Sequence, residues 1–239
     1  MLEEAVWPRC RIPARSRLAR QLNFRLYLFI KRCLDIAITL VALALLWPVM
    51  VAIAVVIVLD SPGPVIFSQE RVGAKWRPVG FWEVITFRCL KFRTMTDKCD
   101  GSMHKAFVQA FVRGEMPEQA GLPYKLNDDP RITRVGRWLR KSSLDELPQL
   151  INILKGEMSW VGPRPVPIYE VAAYRQWHRE RLEALPGLTG LWQVKGRSQV
   201  TFDEMARLDI EYVRHPSVWL DLKLLVATVP AVLSSEGAN

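Results

Sequence analysis

Ile36 to Leu59 is a run of 24 residues without a single charge, long enough to cross a bilayer as a helix. No other feature limits the fold as strongly, because a stretch this apolar lies either in lipid or inside a core. It does not read as a cleavable signal, since it sits far from the start and no small-residue cleavage site follows it. Trp47-Pro48 falls at its centre. Proline removes one helical hydrogen bond and disfavours helix at the residue before it. The first half, residues 36–47, would reach only about 18 Å as a helix, short of a hydrocarbon core of roughly 30 Å. Both flanks are basic. Arg9, Arg11, Arg15, Arg17, Arg20, Arg25, Lys31 and Arg32 precede the stretch, and Arg71, Lys75, Arg77, Arg88, Lys91 and Arg93 follow it. Cytoplasmic flanks are the positively charged ones. The expectation is a re-entrant membrane helix-break-helix over residues 31–60, broken at Trp47 and Pro48, which enters and leaves by the same face. A kinked single span is the competing reading.

Upstream, Leu18, Leu22, Leu26 and Phe29 recur at helical spacing among the cations. Residues 1–30 therefore read as a basic amphipathic arm on an anionic membrane surface. The chain as a whole carries +9, which favours phosphate-bearing partners: nucleotide substrates, anionic lipid or nucleic acid. Residues 61–239 are enough for one domain with its own core. Cys10, Cys33, Cys89 and Cys99 are scattered and form no C-x-x-C, which argues against a zinc site or a disulfide framework and for a reducing compartment. His104, His178 and His215 are isolated and lack metal-ligand spacing.

Beyond the apolar stretch, Ser61-Pro62-Gly63-Pro64 marks a rigid turn. Val65–Phe67 and Glu83–Phe87 read as short strands, and residues 97–128 as a loop with some helix, broken by Gly114, Pro117, Gly121 and Pro123. Tyr169–Leu185 reads as a charged amphipathic helix. Residues 186–197 form a glycine-rich loop, and 202–213 and 219–233 are closing helices. The fold class expected is α/β in the α+β sense, mostly helical with a few short strands.

The chemistry concentrates between Arg131 and Pro148. Arg131, Arg134, Arg137 and Arg140 recur every third residue, followed by Lys141 and then Ser143-Leu144-Asp145-Glu146-Leu147-Pro148. Ser143 and Glu146 match the S-x-x-E capping box. That pattern places Asp145 and Glu146 at a helix start, where free N–H groups attract anions. A capped surface helix with salt-bridged acids would show the same pattern. Other cations sit where the backbone is constrained. Arg164 lies between two prolines in Gly162-Pro163-Arg164-Pro165, a placement suited to bidentate phosphate contact. Lys91 and Arg93 are spaced to share one side of a strand. Arg197 closes the glycine-rich loop. Each alone also fits a turn with a solvated cation. Together with the acid pair they describe a site for a polyanion and a divalent metal, because carboxylates plus phosphate oxygens are the usual cradle for magnesium.

Taken in order, these segments resemble a known family. They are Lys31-Arg32 with Asp35, the proline-broken apolar stretch, Ser61-Pro62-Gly63-Pro64, Lys91-Phe92-Arg93-Thr94-Met95, Asp129-Pro130-Arg131-Ile132-Thr133, Ser143 to Gln149, Val161-Gly162-Pro163-Arg164-Pro165, Pro186-Gly187 to Gly196-Arg197, and Asp221-Leu222-Lys223. The chain is similar, over residues 30–230, to the bacterial sugar transferases, the monotopic polyprenol-phosphate phosphoglycosyl transferases. It departs from them between Arg71 and Lys91, where it is about eight residues longer.

The resemblance implies transfer of a sugar-1-phosphate from a nucleotide sugar, usually a UDP-sugar, to undecaprenyl phosphate. UMP would be released and Mg2+ required. It implies Asp145 as nucleophile and Glu146 as its partner, both near the metal. Lys91, Arg93, Arg140, Arg164 and Arg197 would serve the substrate, with Asp221 in support. It also implies a basic arm over 1–30, a membrane hairpin over 31–60 and a catalytic domain over 61–239. That domain would lie on the cytoplasmic face of the bacterial inner membrane, in contact with the lipid bilayer, without nucleic acid, and with a homodimer suggested by analogy alone. The competing function is a membrane-tethered basic nucleic-acid-binding protein. It leaves the acid pair unexplained.

Overall fold

A computed structural model describes residues 17–96, 102–115, 131–195 and 200–233. The first element, α1 (Arg17–Asp60), is one helix of 44 residues with Pro48 inside it. The interruption expected at Trp47-Pro48 does not end the helix, which continues on both sides of the proline without a gap. One proline removes one hydrogen bond, and the flanking turns supply the rest. Lys31, Asp35, Thr39, Ile53 and Ile57 are buried along one stripe of α1, with Ala42, Leu43 and Met50 half-buried between them. The opposite side is exposed and apolar, including Leu40, Val41, Leu45, Trp47, Val51, Val55 and Leu59. The stripe recurs every three to four residues, so one side of about 39 Å of helix lies against the rest of the protein.

The expected short strands are the two ends of a long hairpin. β1 (Ile66–Arg77) pairs antiparallel with β2 (Phe81–Phe92) in an unbroken register from Ile66↔Phe92 to Arg77↔Phe81. The interval expected to be longer than in the resembled family lies within this hairpin. Two-residue β4 (Val166–Pro167) adds to the other edge of β1, giving the order β2-β1-β4. A second, parallel pair joins β3 (Ser159–Val161) to β5 (Gly187–Thr189). Helices α2 (Ser102–Arg113), α3 (Arg134–Ser142), α4 (Gln149–Lys155), α5 (Ile168–Val171), α6 (Leu191–Lys195), α7 (Phe202–Arg214) and α8 (Val218–Leu233) complete the described residues. The chain is mostly helical with a few strands, as expected.

Residues 169–185 are not the single helix expected. They form α5, a short break and a 3₁₀ turn over Gln176–Leu182. Side-chain pairing buries the charged residues of this segment. His178 is fully buried, and its Nδ1 accepts from the Arg175 backbone N–H at 3.1 Å, so Nε2 carries the proton that meets Asp203 Oδ1 at 3.0 Å. Next to it, buried Arg181 binds Asp209 through Nε at 3.0 Å and NH2 at 2.5 Å, and the Tyr174 hydroxyl through NH1 at 2.9 Å. The Tyr174 hydroxyl in turn donates to Glu170 at 2.7 Å. Burial pushes Asp209 up to about 6, while the Arg181 charge pulls it down.

Burial also lowers the His178 pKa, against the pull of Asp203. The folded protein thus keeps His178 neutral where the unfolded chain, titrating near 6.5, takes up a proton. Its contribution to stability is present above pH 6.5 and is lost as pH falls below that value. Thermal melts should show a loss of Tm on going from pH 7 to pH 5.5 that is smaller in His178→Gln. An equal loss in both proteins would show that other groups govern acid sensitivity.

Candidate active site

The acid pair is positioned by two neighbouring segments. Residues 94–96 run alongside residues 131–133: Thr133 N donates to Thr94 O at 3.1 Å, Met95 bridges Ile132, and Thr96 N donates to Arg131 O at 3.0 Å. Thr133 then caps α3, its hydroxyl accepting from Gly136 N at 2.9 Å. Gly136 permits this contact, because a Cβ there would stand 2.1 Å from Thr94 O. At the far end of α3, Ser143 adopts a left-handed conformation with φ of 57°, and its N–H returns to Arg140 O. The chain turns, and one 3₁₀ turn over Leu144–Glu146 carries Asp145 and Glu146.

The capping box expected from the sequence does not form. An N-cap residue is normally extended, whereas Ser143 is left-handed and makes no side-chain cap. Glu146 N donates instead to the Ser143 carbonyl at 3.2 Å. The acids nevertheless lie just before α4 as expected, in a 3₁₀ turn that leads through Leu147 and Pro148, both helical in backbone, into Gln149. A left-handed residue with a branched Cβ is strained by about 1–2 kcal/mol, whereas asparagine adopts this region readily. Ser143→Val should lower unfolding stability by that amount and Ser143→Asn should be neutral. If instead Ser143→Asn and Ser143→Val were equally harmful in denaturant melts, the turn geometry would be wrong.

On β2, Phe87, Cys89 and Lys91 share one side. Phe87 and Cys89 are buried with Leu150, Ile153 and Met158. Lys91, next in that row, emerges at the acid pair, with Nζ 2.8 Å from Glu146 Oε1 and 3.9 Å from Asp145 Oδ2. Arg164 NH2 reaches the same Glu146 oxygen at 3.1 Å. Its loop is strapped down by Gly162 N to Thr189 O at 2.9 Å and Gly187 N to Pro163 O at 2.8 Å. Side chains are refused there, since a Cβ on Gly162 would stand 2.2 Å from Leu185 O. Asp145 is 9 % exposed. The structure thus brings Asp145, Glu146, Lys91 and Arg164 together, while the Arg140 side chain lies at Met95, its NH2 4.0 Å from Sδ.

Other expected residues sit elsewhere. Arg93 follows the last residue of β2, so the two-residue alternation with Lys91 no longer applies. Its guanidinium turns to the end of α1, donating to Ile57 O, Ser61 O and Ser61 Oγ. Asp221 is buried in α8, where Oδ2 accepts from Lys31 at 2.8 Å and Tyr27 at 3.1 Å, and Oδ1 accepts from Tyr212 at 2.7 Å. That network fastens α8 to α1. Arg197 lies outside the described residues. Trp47 and Pro48 are exposed in α1.

Asn152 was not singled out from the sequence. Its Oδ1 accepts from Leu90 N at 3.0 Å and its Nδ2 donates to Arg88 O at 2.8 Å. The side-chain amide takes the place of a neighbouring strand on the open edge of β2. It holds α4, and with it the acid pair, in register with Lys91. Its signal in the sequence was a polar residue inside the apolar run Leu150-Ile151-Asn152-Ile153-Leu154, where only a satisfied amide can be buried.

Two carboxylates among fixed cations, on a domain with a long exposed apolar helix, form a site suited to group transfer between phosphate-bearing substrates. The chain belongs to the bacterial sugar transferase family, whose model matches residues 26–235. It is 41% identical over 214 residues to the galactosyl transferase CpsE of Streptococcus agalactiae, which covers 89% of this chain and 44% of the relative. It is 39% identical over 208 residues to the exopolysaccharide production protein ExoY of Rhizobium meliloti, covering 87% of each. It is 38% identical over 223 residues to the undecaprenyl-phosphate galactose phosphotransferase of Salmonella typhimurium, covering 93% of this chain and 44% of that protein. The chain therefore spans under half the length of two of these relatives and most of the third.

Proposed function

We propose that this protein transfers a sugar-1-phosphate from a UDP-sugar to undecaprenyl phosphate at a membrane surface, through a covalent phosphosugar on Asp145. The observation that carries the reading is the placement of Asp145 and Glu146 against Lys91 and Arg164 in a chain of this family. Relatives named for undecaprenyl-phosphate galactose and glucose-1-phosphate transfer support the substrate classes.

A carboxylate needs no base to act as a nucleophile at pH 7. An Asp145 oxygen bonds to the phosphorus that bears the sugar, and the bond from that phosphorus to the bridging oxygen breaks. UMP leaves with the electron pair. A phosphate oxygen of the lipid then attacks the same phosphorus, and Asp145 is released as carboxylate. Lys91 and Arg164 fix Glu146 beside the nucleophile and offset the charge of the incoming phosphates. Two adjacent carboxylates fit magnesium in its usual mode, with one or two protein carboxylates and the rest of the shell from phosphate oxygens and water. Asp145 and Glu146 would hold the ion, which would supply neutralising charge for the transferring group.

The apolar side of α1 supports membrane attachment. Its buried stripe is tied to the same domain at both ends, by Lys31 to Val161 O and Asp221, and by Ile57 and Ser61 to Arg93. A helix fastened to one domain along its length cannot cross a bilayer without dragging that domain in. Both flanks therefore stay on one face, the cytoplasmic one by their charge.

Magnesium-dependent release of UMP, measured across a panel of UDP-sugars with undecaprenyl phosphate present, tests the function. No release from any donor would refute it. The cation cluster gives a second test. Arg164→Lys keeps the charge but loses the planar fork, and kcat/KM should fall about tenfold, or roughly 1.4 kcal/mol. An unchanged kcat/KM would make Arg164 a purely structural residue.

A further inference from the structure

The far end of the β1–β2 hairpin has no part in the site just described. Its apex, Arg77-Pro78-Val79-Gly80-Phe81, is closed by Gly80 N to Arg77 O at 2.9 Å. Pro78 and Gly80 are usual turn residues at these positions, and between and beyond them the turn presents Val79 at 83 % exposure and Phe81, also exposed. Within the hairpin, Trp76 pairs with Trp82 across the strands at 5.4 Å between ring centroids. Both rings pack against Phe24 of α1, at 4.8 and 6.4 Å, and the Arg25 guanidinium donates to Pro78 O. The apex is therefore joined to the first turns of α1. There Leu22, Leu26 and Phe29 form an exposed stripe that continues into the exposed apolar side of the helix. Lys75 is exposed close to the apex, where Arg77 pairs with Glu83.

We propose that the hairpin apex is a second lipid-contact element, with Val79 and Phe81 inserted at the headgroup level of the bilayer that α1 occupies. Apolar residues at the tip, tryptophans behind them and cations around them make up the composition of a membrane interface rather than of a water-facing turn. Continuity with α1 selects lipid as the occupant. The extension would then fix the tilt of the domain by adding a contact beyond the helix. The proposal rests on the membrane reading of α1.

The test uses the full chain, with its natural cysteines replaced, in vesicles of phosphatidylethanolamine and phosphatidylglycerol. A fluorophore is placed in turn at Val79→Cys, at Leu45→Cys in the exposed middle of α1, and at Thr86→Cys, an exposed strand position about 16 Å from Phe81. Quenching by a lipid with a doxyl group near its headgroup is compared with quenching by aqueous iodide. The expected result is lipid quenching several-fold stronger at Val79→Cys and Leu45→Cys than at Thr86→Cys, with iodide showing the reverse order. Lipid quenching at Leu45→Cys with iodide quenching at Val79→Cys would overturn the hairpin proposal and leave the anchor standing. Protection of Val79→Cys from both quenchers would also overturn it, showing a protein cover such as a second copy. No lipid quenching at Leu45→Cys would overturn the membrane reading itself. Phe81→Cys repeats the measurement one step along the hairpin.

Discussion

Replacing Arg181 with methionine should lower unfolding stability by about 3–5 kcal/mol, the usual cost of breaking a buried ion pair from one side. Arg181 is buried with the Asp209 carboxylate against it and Glu170 at 3.5 Å, so its loss leaves two buried carboxylates without their cation. A domain of ordinary stability has only about 5–15 kcal/mol in total, and expression itself should suffer. The pH dependence follows from sign. Burial already raises the Asp209 pKa above its ordinary value, and removal of the guanidinium raises it further. A group with a raised folded pKa takes up its proton more readily folded than unfolded, so folding is favoured as pH falls towards the unfolded value. The defect of Arg181→Met should be largest at pH 7–8 and smaller at pH 5. Urea melts at both pH values check this. A uniform defect would mean that the lost packing of the arginine stem, not its charge, dominates.

The same network shows why residues 169–185 misled sequence reasoning. Charged and apolar residues alternate there with helix-like spacing, but that spacing assumes that the charged side faces water. Here Glu170, His178 and Arg181 are the buried side, and only their partners on α7 make that possible. The hairpin was hard to read for a related reason. Along Ile66–Arg77 the buried residues are Val72, Gly73 and Ala74 in succession, so no clean two-residue alternation exists, and Trp76 and Trp82 are covered by a helix 50 residues away in sequence. Elements marked by a regular apolar spacing or by sheer apolar length were legible: α7 and α8, and the apolar run of α1. The acid pair was found because adjacent carboxylates after a cation run are rare, whereas the serine cap was misjudged because a left-handed serine leaves no trace in composition. Arg93 was grouped with Lys91 on strand spacing, and the strand ends one residue too soon for that.

The second large effect concerns Asp145. Asp145→Asn replaces a carboxylate oxygen by a neutral amide of nearly the same shape, which removes the nucleophile while leaving the turn and its cations in place. Activity should fall by at least about 10³-fold with little change in stability. Glu146→Gln weakens the contacts with Lys91 and Arg164 and should impair turnover without preventing attachment of the phosphosugar, because the attacking oxygen remains.

The most direct measurement is intact mass spectrometry of the protein after incubation with a productive UDP-sugar and magnesium, without any lipid acceptor. The account predicts a mass gain of one sugar phosphate together with a burst of UMP no larger than one per site, both absent in Asp145→Asn and both cleared when undecaprenyl phosphate is added. An adduct that persists in Asp145→Asn, or UMP that appears only once the lipid is present, would contradict it.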